Sequence, residues 1–142
     1  FKRGRARIVR AEAGRSLARV EKACGRVRTG DYLIPFQERE GLLGKDLGFN
    51  VQGKEGAPMG KFVYLQDDLN QIGTGHWGIV DIGKEQGIQI GQQLTIFKGI
   101  QRNLPSESVG NLVVINVGSK TSTVKILSCK DAVRLDYPVQ VK

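Results

Sequence analysis

The sequence has few of the residues that enzymes and metalloproteins use for chemistry. Its 142 positions contain one histidine, His76, two cysteines and nine aromatic residues. A Ser-His-Asp or Cys-His apparatus would have to use His76, which stands in the turn-like stretch GTGHWG and is better explained by packing or a turn. Cys24 and Cys129 show no metal-ligand spacing, and a single histidine leaves too few ligands for a structural zinc. We therefore expect no enzyme active site, no metal and no cofactor.

Long hydrophobic runs are also missing. No apolar stretch approaches the roughly 18 residues of a membrane span, and no signal-peptide pattern follows Phe1. The composition, 39% hydrophobic and 25% charged, is typical of a globular protein rather than a disordered one. The sequence predicts a folded protein without a membrane-spanning segment.

Glycine is abundant, with 19 residues, and it separates short runs rich in β-branched side chains. No stretch of ten or more residues has convincing helical periodicity. The runs predict nine strands, at 6–11, 17–23, 32–36, 61–66, 77–82, 92–98, 112–117, 121–127 and 138–141. Short strands joined by tight glycine turns indicate an all-β protein made of small antiparallel β-barrel or sandwich units.

The chain repeats one pattern near its two ends. At an offset of 106 positions, GRARIVRAEAGRSLARVEKACGRVRTGDYLIPF aligns with GNLVVINVGSKTSTVKILSCKDAVRLDYPVQVK, and a one-residue slip brings Cys24 onto Cys129. We interpret this as a duplicated hairpin and closing strand, of which the first copy is partial. The predicted domains are residues 1–36, the closing strands of a first β-unit; 37–60, a glycine-rich linker or long loop; and 61–142, a complete small barrel.

The paired cysteines allow two interpretations. Equivalent positions in two pseudo-symmetric units could meet and form a disulfide in an oxidising compartment. They can equally lie apart, with each cysteine serving as a small packing residue. A bond between Cys24 and Cys129 therefore remains open at this point.

All the excess positive charge lies at the start of the chain. Residues 1–30 contain 10 basic and 2 acidic groups, giving 10 − 2 = +8, whereas the other 112 residues have 12 of each sign. The predicted basic face comprises Arg3, Arg5, Arg7, Arg10, Arg15 and Arg19. Such a face suits an acidic partner or polymer. The alternative is a barrel that binds nucleic acid, but no aromatic residue stands between Phe1 and Tyr32 for base stacking, which makes nucleic acid a weaker candidate.

The stretch HWGIVDIGKEQGIQIGQQLTIFKGIQRNLPSESVGNLVVINVGSKTSTVKILSCKDAVRLDY resembles the C-terminal region of LysM-domain cell-envelope proteins. It is similar in particular to the type IV pilus secretin-associated proteins and to the C-terminal domain of the flagellar outer-ring accessory protein. The resemblance implies a non-catalytic scaffold that is periplasmic or outer-membrane-associated, has protein partners and forms a homo-oligomer. It also implies that peptidoglycan would be bound only through a LysM module, which would have to precede Phe1. Exposed strand edges would serve as the assembly surfaces.

Overall fold

The computed structural model describes residues 3–38, 41, 43–50, 55–99 and 107–142. Its strands are β1 Gly4–Glu12, β2 Arg15–Ala23, β3 Met59–Leu65, β4 Trp77–Val80, β5 Gln93–Phe97, β6 Ser108–Val117, β7 Ser122–Cys129 and β8 Pro138–Val141. Within these ranges the only helical segments are single 3-10 turns at Gln66–Asp68 and Lys84–Gln86, so none could cross a membrane. The chain divides into two compact units, Phe1–Gly41 and Leu42–Lys142.

The second unit is a closed antiparallel barrel in the order β3-β4-β7-β6-β5-β8. Alternating β-branched and leucine side chains place one face of each strand inside, as Leu112 and Val114 do on β6 and Val124 and Ile126 do on β7. These four side chains are almost fully buried in one continuous apolar core. Closure pairs the outer strands with each other, so the barrel has no open sheet edge.

The first unit is a two-stranded antiparallel ribbon of β1 and β2. Every residue of its two strands is exposed except Ala6, which is half-buried. A two-stranded ribbon has an unpaired edge on each side and buries little apolar surface. The ribbon therefore has the hydrogen bonds of a hairpin without a core beneath it.

The ribbon repeats the β6–β7 hairpin of the barrel pair by pair. At the offset of 106, the pairs Gly4–Ala23, Ala6–Val20, Ile8–Ala18 and Ala11–Ser16 correspond to Gly110–Cys129, Leu112–Ile126, Val114–Val124 and Val117–Ser122. Both hairpins also have register shifts at the same two places, between Arg5 and Ala6 and between Ile8 and Arg10 in the first copy. Bulges are positional features of a sheet rather than general features of hairpins, so the match confirms the duplication and its partial first copy.

A close backbone approach is repeated as well. A Cβ atom on Gly4 would lie 2.3 Å from the carbonyl oxygen of Lys22, and one on Gly110 would lie 2.8 Å from that of Ser128. Both distances are too short for a side chain, which explains glycine at the first pair of each hairpin.

The same offset continues past the end of the hairpin. The Cys24 amide donates to the Arg3 carbonyl at 2.7 Å, and the equivalent Lys130 amide donates to the Val109 carbonyl at 2.8 Å. Gly30 and its counterpart Asp136 both have positive φ, 95° and 65°. Ala23, not Cys24, therefore corresponds to Cys129, and the one-residue slip predicted from the sequence is wrong. The two cysteines are not equivalent positions.

The strand predicted at 32–36 is not formed, so eight strands are present in the described residues where nine were expected. Its counterpart in the barrel is β8, which pairs with β3 on one side and with β5 on the other. Residues 32–36 have no such neighbours in the first unit, and a strand without a ladder leaves its backbone groups to water. The apolar sequence is that of a strand, but its pairing partners are missing.

The connection between the units differs from the expected linker. The first barrel strand begins at Met59, inside the stretch 37–60. Residues 45–48, also within that stretch, are hydrogen bonded to Gln93, Asn111 and Lys142 of the barrel unit. The division between the compact units falls at Gly41.

Candidate partner-binding surface

The centre of the ribbon is a cluster of two arginines around one carboxylate. Arg7 Nε donates to Glu21 Oε1 at 2.5 Å, and Arg5 Nε lies 2.9 Å from Glu21 Oε2. Both side chains reach the same carboxylate, so Arg5 and Arg7 share a face of β1. The hydrogen bond from Arg7 lowers the pKa of Glu21 and raises that of Arg7, because each interaction favours the charged form.

A second cluster lies at the hairpin turn. Glu12 Oε1 lies 2.9 Å from Arg10 Nε in an ion pair, and Glu12 Oε2 accepts a hydrogen bond from Arg15 Nε at 3.2 Å. Arg3, at the opposite end of β1, lies 3.8 Å from an oxygen of Asp31. Five of the six predicted arginines are thus ion-paired within the first unit, through three carboxylates.

The sixth arginine increases the local positive charge. Arg19 lies directly opposite Arg7 in the strand register, and in the described part of the chain it makes no ion pair. Like charges on directly opposed positions are unfavourable in a sheet. The Arg7–Arg19 pair is therefore the position of the ribbon where a carboxylate from outside would be most favourable.

Arg5 also contacts an aromatic ring. Its guanidinium carbon lies 5.0 Å from the centroid of the Phe36 ring, within the range of a cation–π interaction. The equivalent contact in the barrel is the hydrogen bond from Lys142 Nζ to Asn111 Oδ1, at 2.6 Å. The segment after the ribbon thus touches β1 at the position where the end of the barrel unit touches β6.

The other face of the ribbon is apolar and uncovered. Ile8 and Val20 are 62% and 52% exposed, whereas their counterparts Val114 and Ile126 are each 1% exposed in the barrel core. Val27 and Leu33 are exposed in the same way, and their counterparts Val133 and Val139 are fully buried. The inward positions of a barrel hairpin are therefore present in the first unit without the strands that would cover them.

Both cysteines are free thiols in the structure, Cys24 exposed and Cys129 half-buried. Cys24 belongs to the first unit and Cys129 to the barrel. The Cys129 sulfur lies 3.5 Å from the hydroxyl oxygen of Thr74. Across the described ranges no group of three or more His, Cys, Asp and Glu side chains is arranged to hold a metal ion.

His76 lies in a tight turn against β7. Its amide donates to the Gly73 carbonyl at 3.1 Å, and its own carbonyl accepts from Ile126 at 2.9 Å. The ring nitrogen Nδ1 lies 3.2 Å from the same Gly73 carbonyl. These contacts account for the histidine as a turn residue at the entrance of β4.

A polar network on the barrel was not predicted from the sequence. Asn111 is fully buried, and its side-chain amide donates to Asp46 Oδ1 at 2.5 Å and to Gln93 Oε1 at 2.7 Å. Lys142 Nζ donates to the Asn111 side-chain oxygen and to the Gly48 carbonyl. The network ties residues 45–48 to β5, β6 and the residue after β8. The only signal in the sequence was an asparagine inside a strand of apolar residues.

Burial and hydrogen bonding act in opposite directions on the network's acid. Partial burial of Asp46 disfavours its charged form, but the hydrogen bonds from Asn111 and from the Gly48 amide, together with the charge of Lys142, outweigh this and lower its pKa. Desolvation lowers the pKa of Lys142. The Asp46 carboxylate is thus held in its ionised form as an acceptor.

No protein-family model, curated protein or solved structure matches the chain. Support for a partner-binding surface therefore comes from the geometry of the ribbon and of the barrel.

Proposed function

We propose that the protein is a non-catalytic assembly module of the bacterial cell envelope, which binds a protein partner through the ribbon of β1 and β2. The observation that carries this proposal is the exposed apolar face of a hairpin whose register matches that of a barrel core hairpin. An isolated ribbon is marginal in water, and an exposed apolar face with open edges is typical of an interaction surface.

The charge of the ribbon supports an acidic partner. Five arginines of the ribbon form ion pairs with three carboxylates. Arg19 lies opposite Arg7 and has no carboxylate partner among the described residues. A carboxylate from a partner would relieve this repulsion and steer association at low salt. The closed barrel has no such edge and would serve as the rigid body that carries the ribbon.

The envelope location and the homo-oligomer rest on the resemblance to LysM-domain envelope proteins. A scaffold that joins a periplasmic or outer-membrane-associated machine needs a folded body and an interaction surface, and the closed barrel and the exposed face of the ribbon support these two roles. The proposed partner is the pilus, secretin or flagellar-type assembly that the resemblance implies.

The proposal is tested with the purified full chain. Its mass in solution is measured by light scattering over a range of concentrations, and its cosedimentation is measured with the cell-envelope fraction of the organism that makes it. We expect an assembly larger than a monomer and saturable binding that weakens as salt rises. A variant with Arg5, Arg7 and Arg19 changed to Ser is expected to lose envelope binding.

The matched control changes Lys84, Lys120 and Lys125 to Ser. These lysines are exposed, and their substitution removes three positive charges from the barrel, as many as the arginine variant removes from the ribbon. The control is expected to bind like the unchanged protein. The proposal would be refuted if the protein stayed monomeric at all concentrations and did not cosediment with the envelope fraction. Binding to short oligonucleotides with a steep salt dependence, lost in the arginine variant, would instead favour the nucleic-acid alternative.

A further inference from the structure

We infer that the partner of the ribbon is another protein that supplies three strands, two paired with each other and one separate, and that these strands close a second barrel around β1, β2 and residues 32–36. The inference rests on the proposed function and deepens it by assigning the partner's architecture and the residues that it meets. Its basis is the match between the ribbon and the barrel hairpin, because the barrel shows what covers the same hairpin when it is complete.

The barrel assigns the edge that each partner strand would occupy. β5 pairs with β6 from Gly110 to Val113, and β4 pairs with β7 from Ser122 to Lys125. At the offset of 106, these positions correspond to residues 4–7 of β1 and residues 16–19 of β2. One partner strand would therefore lie antiparallel to β1 over 4–7 and another antiparallel to β2 over 16–19.

The hydrogen-bonding direction of the ribbon fits this arrangement. In the barrel, the Val114 amide donates outward to the Gln92 carbonyl at 2.9 Å, and the Ile126 amide donates outward to the His76 carbonyl at 2.9 Å. Their counterparts are Ile8 and Val20. The backbone amides of successive residues in a strand point alternately to its two neighbouring strands. By this correspondence, the amides of Ile8 and Val20 point away from the other ribbon strand, toward the two open edges. Strand addition satisfies such groups through the main chain.

The third partner strand is required by residues 32–36. Their counterpart β8 lies between β3 and β5. With a partner strand in each of these places, residues 32–36 would pair on both sides, and Leu33 would turn inward as Val139 does in the barrel. The strand that the sequence predicted would then form on binding.

The interior of the second barrel sets the size of the partner's side chains. Ala6 and Ala18 stand where the barrel has Leu112 and Val124, both fully buried. Two alanines leave space that a well-packed core must fill from the opposite side. The partner strands should therefore carry larger inward side chains than β4 and β5 do.

Charge disfavours a second copy of the ribbon as the occupant, so the proposed homo-oligomer would form through surfaces other than the ribbon. Ten of the first 30 residues are basic and two are acidic, so two ribbons would repel each other. A partner with carboxylates beside Arg7 and Arg19 would be attracted instead. The partner strands are thus acidic on the outer face and apolar on the inner one.

The experiment compares two adjacent substitutions in the full chain. Ala18→Lys places an ammonium group on the inner face, where the proposed barrel would bury it, whereas Leu17→Lys places the same charge on the outer face. Neither site is buried in the ribbon itself, so both variants should fold. Envelope cosedimentation is expected to fall by about tenfold or more for Ala18→Lys, because an unpaired charge is costly to bury, and to change by less than about threefold for Leu17→Lys.

The result that overturns the inference is equal binding by both lysine variants. If the arginine variant loses binding at the same time, the ribbon binds by charge alone, and the assembly function stands without the barrel closure. If Ala18→Lys and Leu17→Lys lose envelope binding to the same extent, the partner does not bury the inner face in preference to the outer face. That result would also overturn the inference.

A second measurement applies even if the unchanged protein ignores the envelope fraction. The probe is a synthetic peptide of residues 59–99, which contains β3, β4 and β5 and carries 3 basic and 4 acidic groups. Hydrogen exchange of the full chain with this peptide is expected to slow at residues 4–7, 16–19 and 32–36. The protection should disappear in Ala18→Lys and persist in Leu17→Lys. Because β4 and β5 already flank the equivalent hairpin in the barrel, absence of protection at these residues in a large excess of peptide would refute the closure.

Discussion

Replacing Asn111 with alanine tests whether the buried polar network holds residues 45–48 on the barrel. Asn111 is fully buried and makes three side-chain hydrogen bonds, to Asp46, Gln93 and Lys142. Bonds to charged groups contribute about 1.5–3 kcal/mol each and a neutral bond about 0.5–1.5 kcal/mol. Asp46 lies at the surface, where water can replace a lost partner, so the lower ends apply. We expect Asn111→Ala to lower the free energy of unfolding by roughly 3.5 kcal/mol.

The assay is equilibrium unfolding in urea, followed by the fluorescence of the single tryptophan, with Gln89→Ala as an exposed control that should change stability by less than about 0.5 kcal/mol.

The Asp46 carboxylate makes the stability of the network depend on pH. Since its folded-state pKa is lowered, its contribution is present above the unfolded value of about 3.9 and is lost as pH falls through the folded value. Asn111→Ala should reduce this loss. A variant within about 0.5 kcal/mol of the unchanged protein would refute the network as a stabilising clamp.

Three further predictions concern the two units. Ile126→Ala should lower the free energy of unfolding by about 2–5 kcal/mol, whereas Val20→Ala, at the equivalent but exposed position, should change it by less than about 0.5 kcal/mol; equal effects would contradict the absence of a core beneath the ribbon. In an NMR titration, the pKa of Glu21 should be lower than that of an ordinary glutamate, and mutation of Arg5 and Arg7 should return it to the ordinary range. A Glu21 pKa in the ordinary range in the unchanged protein would contradict the ion pair. Iodoacetamide should label Cys24 faster than Cys129, and failure of both to react without a reductant would indicate a disulfide instead.

The sequence predicted the all-β class because its strands alternate and its glycines mark turns. It also predicted the duplication, since hairpin register depends on local side-chain patterns that recur at a fixed offset. It failed at residues 32–36 because a strand exists only when it has a neighbour, and pairing is not a local property. It misaligned the cysteines because the repeated Cys and Asp-Tyr residues suggested a one-residue slip. The positive φ at both Gly30 and Asp136 shows that the offset of 106 continues without a slip.

The candidate surface was predicted in part. A cluster of arginines was evident from the sequence, and the shared face of Arg5 and Arg7 follows from strand periodicity. Their pairing with Glu21 was not evident, because the bulge that determines which residue of β2 lies opposite depends on the register of the whole hairpin. The importance of Asn111 was hidden for another reason: its partners are distant in the sequence, and only barrel closure brings residues 45–48 beside it.

The pairing of β3 with β8 determines how the barrel would respond to mechanical force. Met59 lies opposite Gln140, so the first strand starts where the last one finishes, and only three residue pairs join them. Tension applied between these two points would pull the strands apart like a zipper, breaking the pairs one after another rather than together. The backbone hydrogen bond from the Val141 amide to the Pro58 carbonyl, at 3.1 Å, lies just beyond this seam and would be among the first to break. In an assembly under load, the resistance of the barrel would thus depend on the few backbone bonds that join β3 to β8.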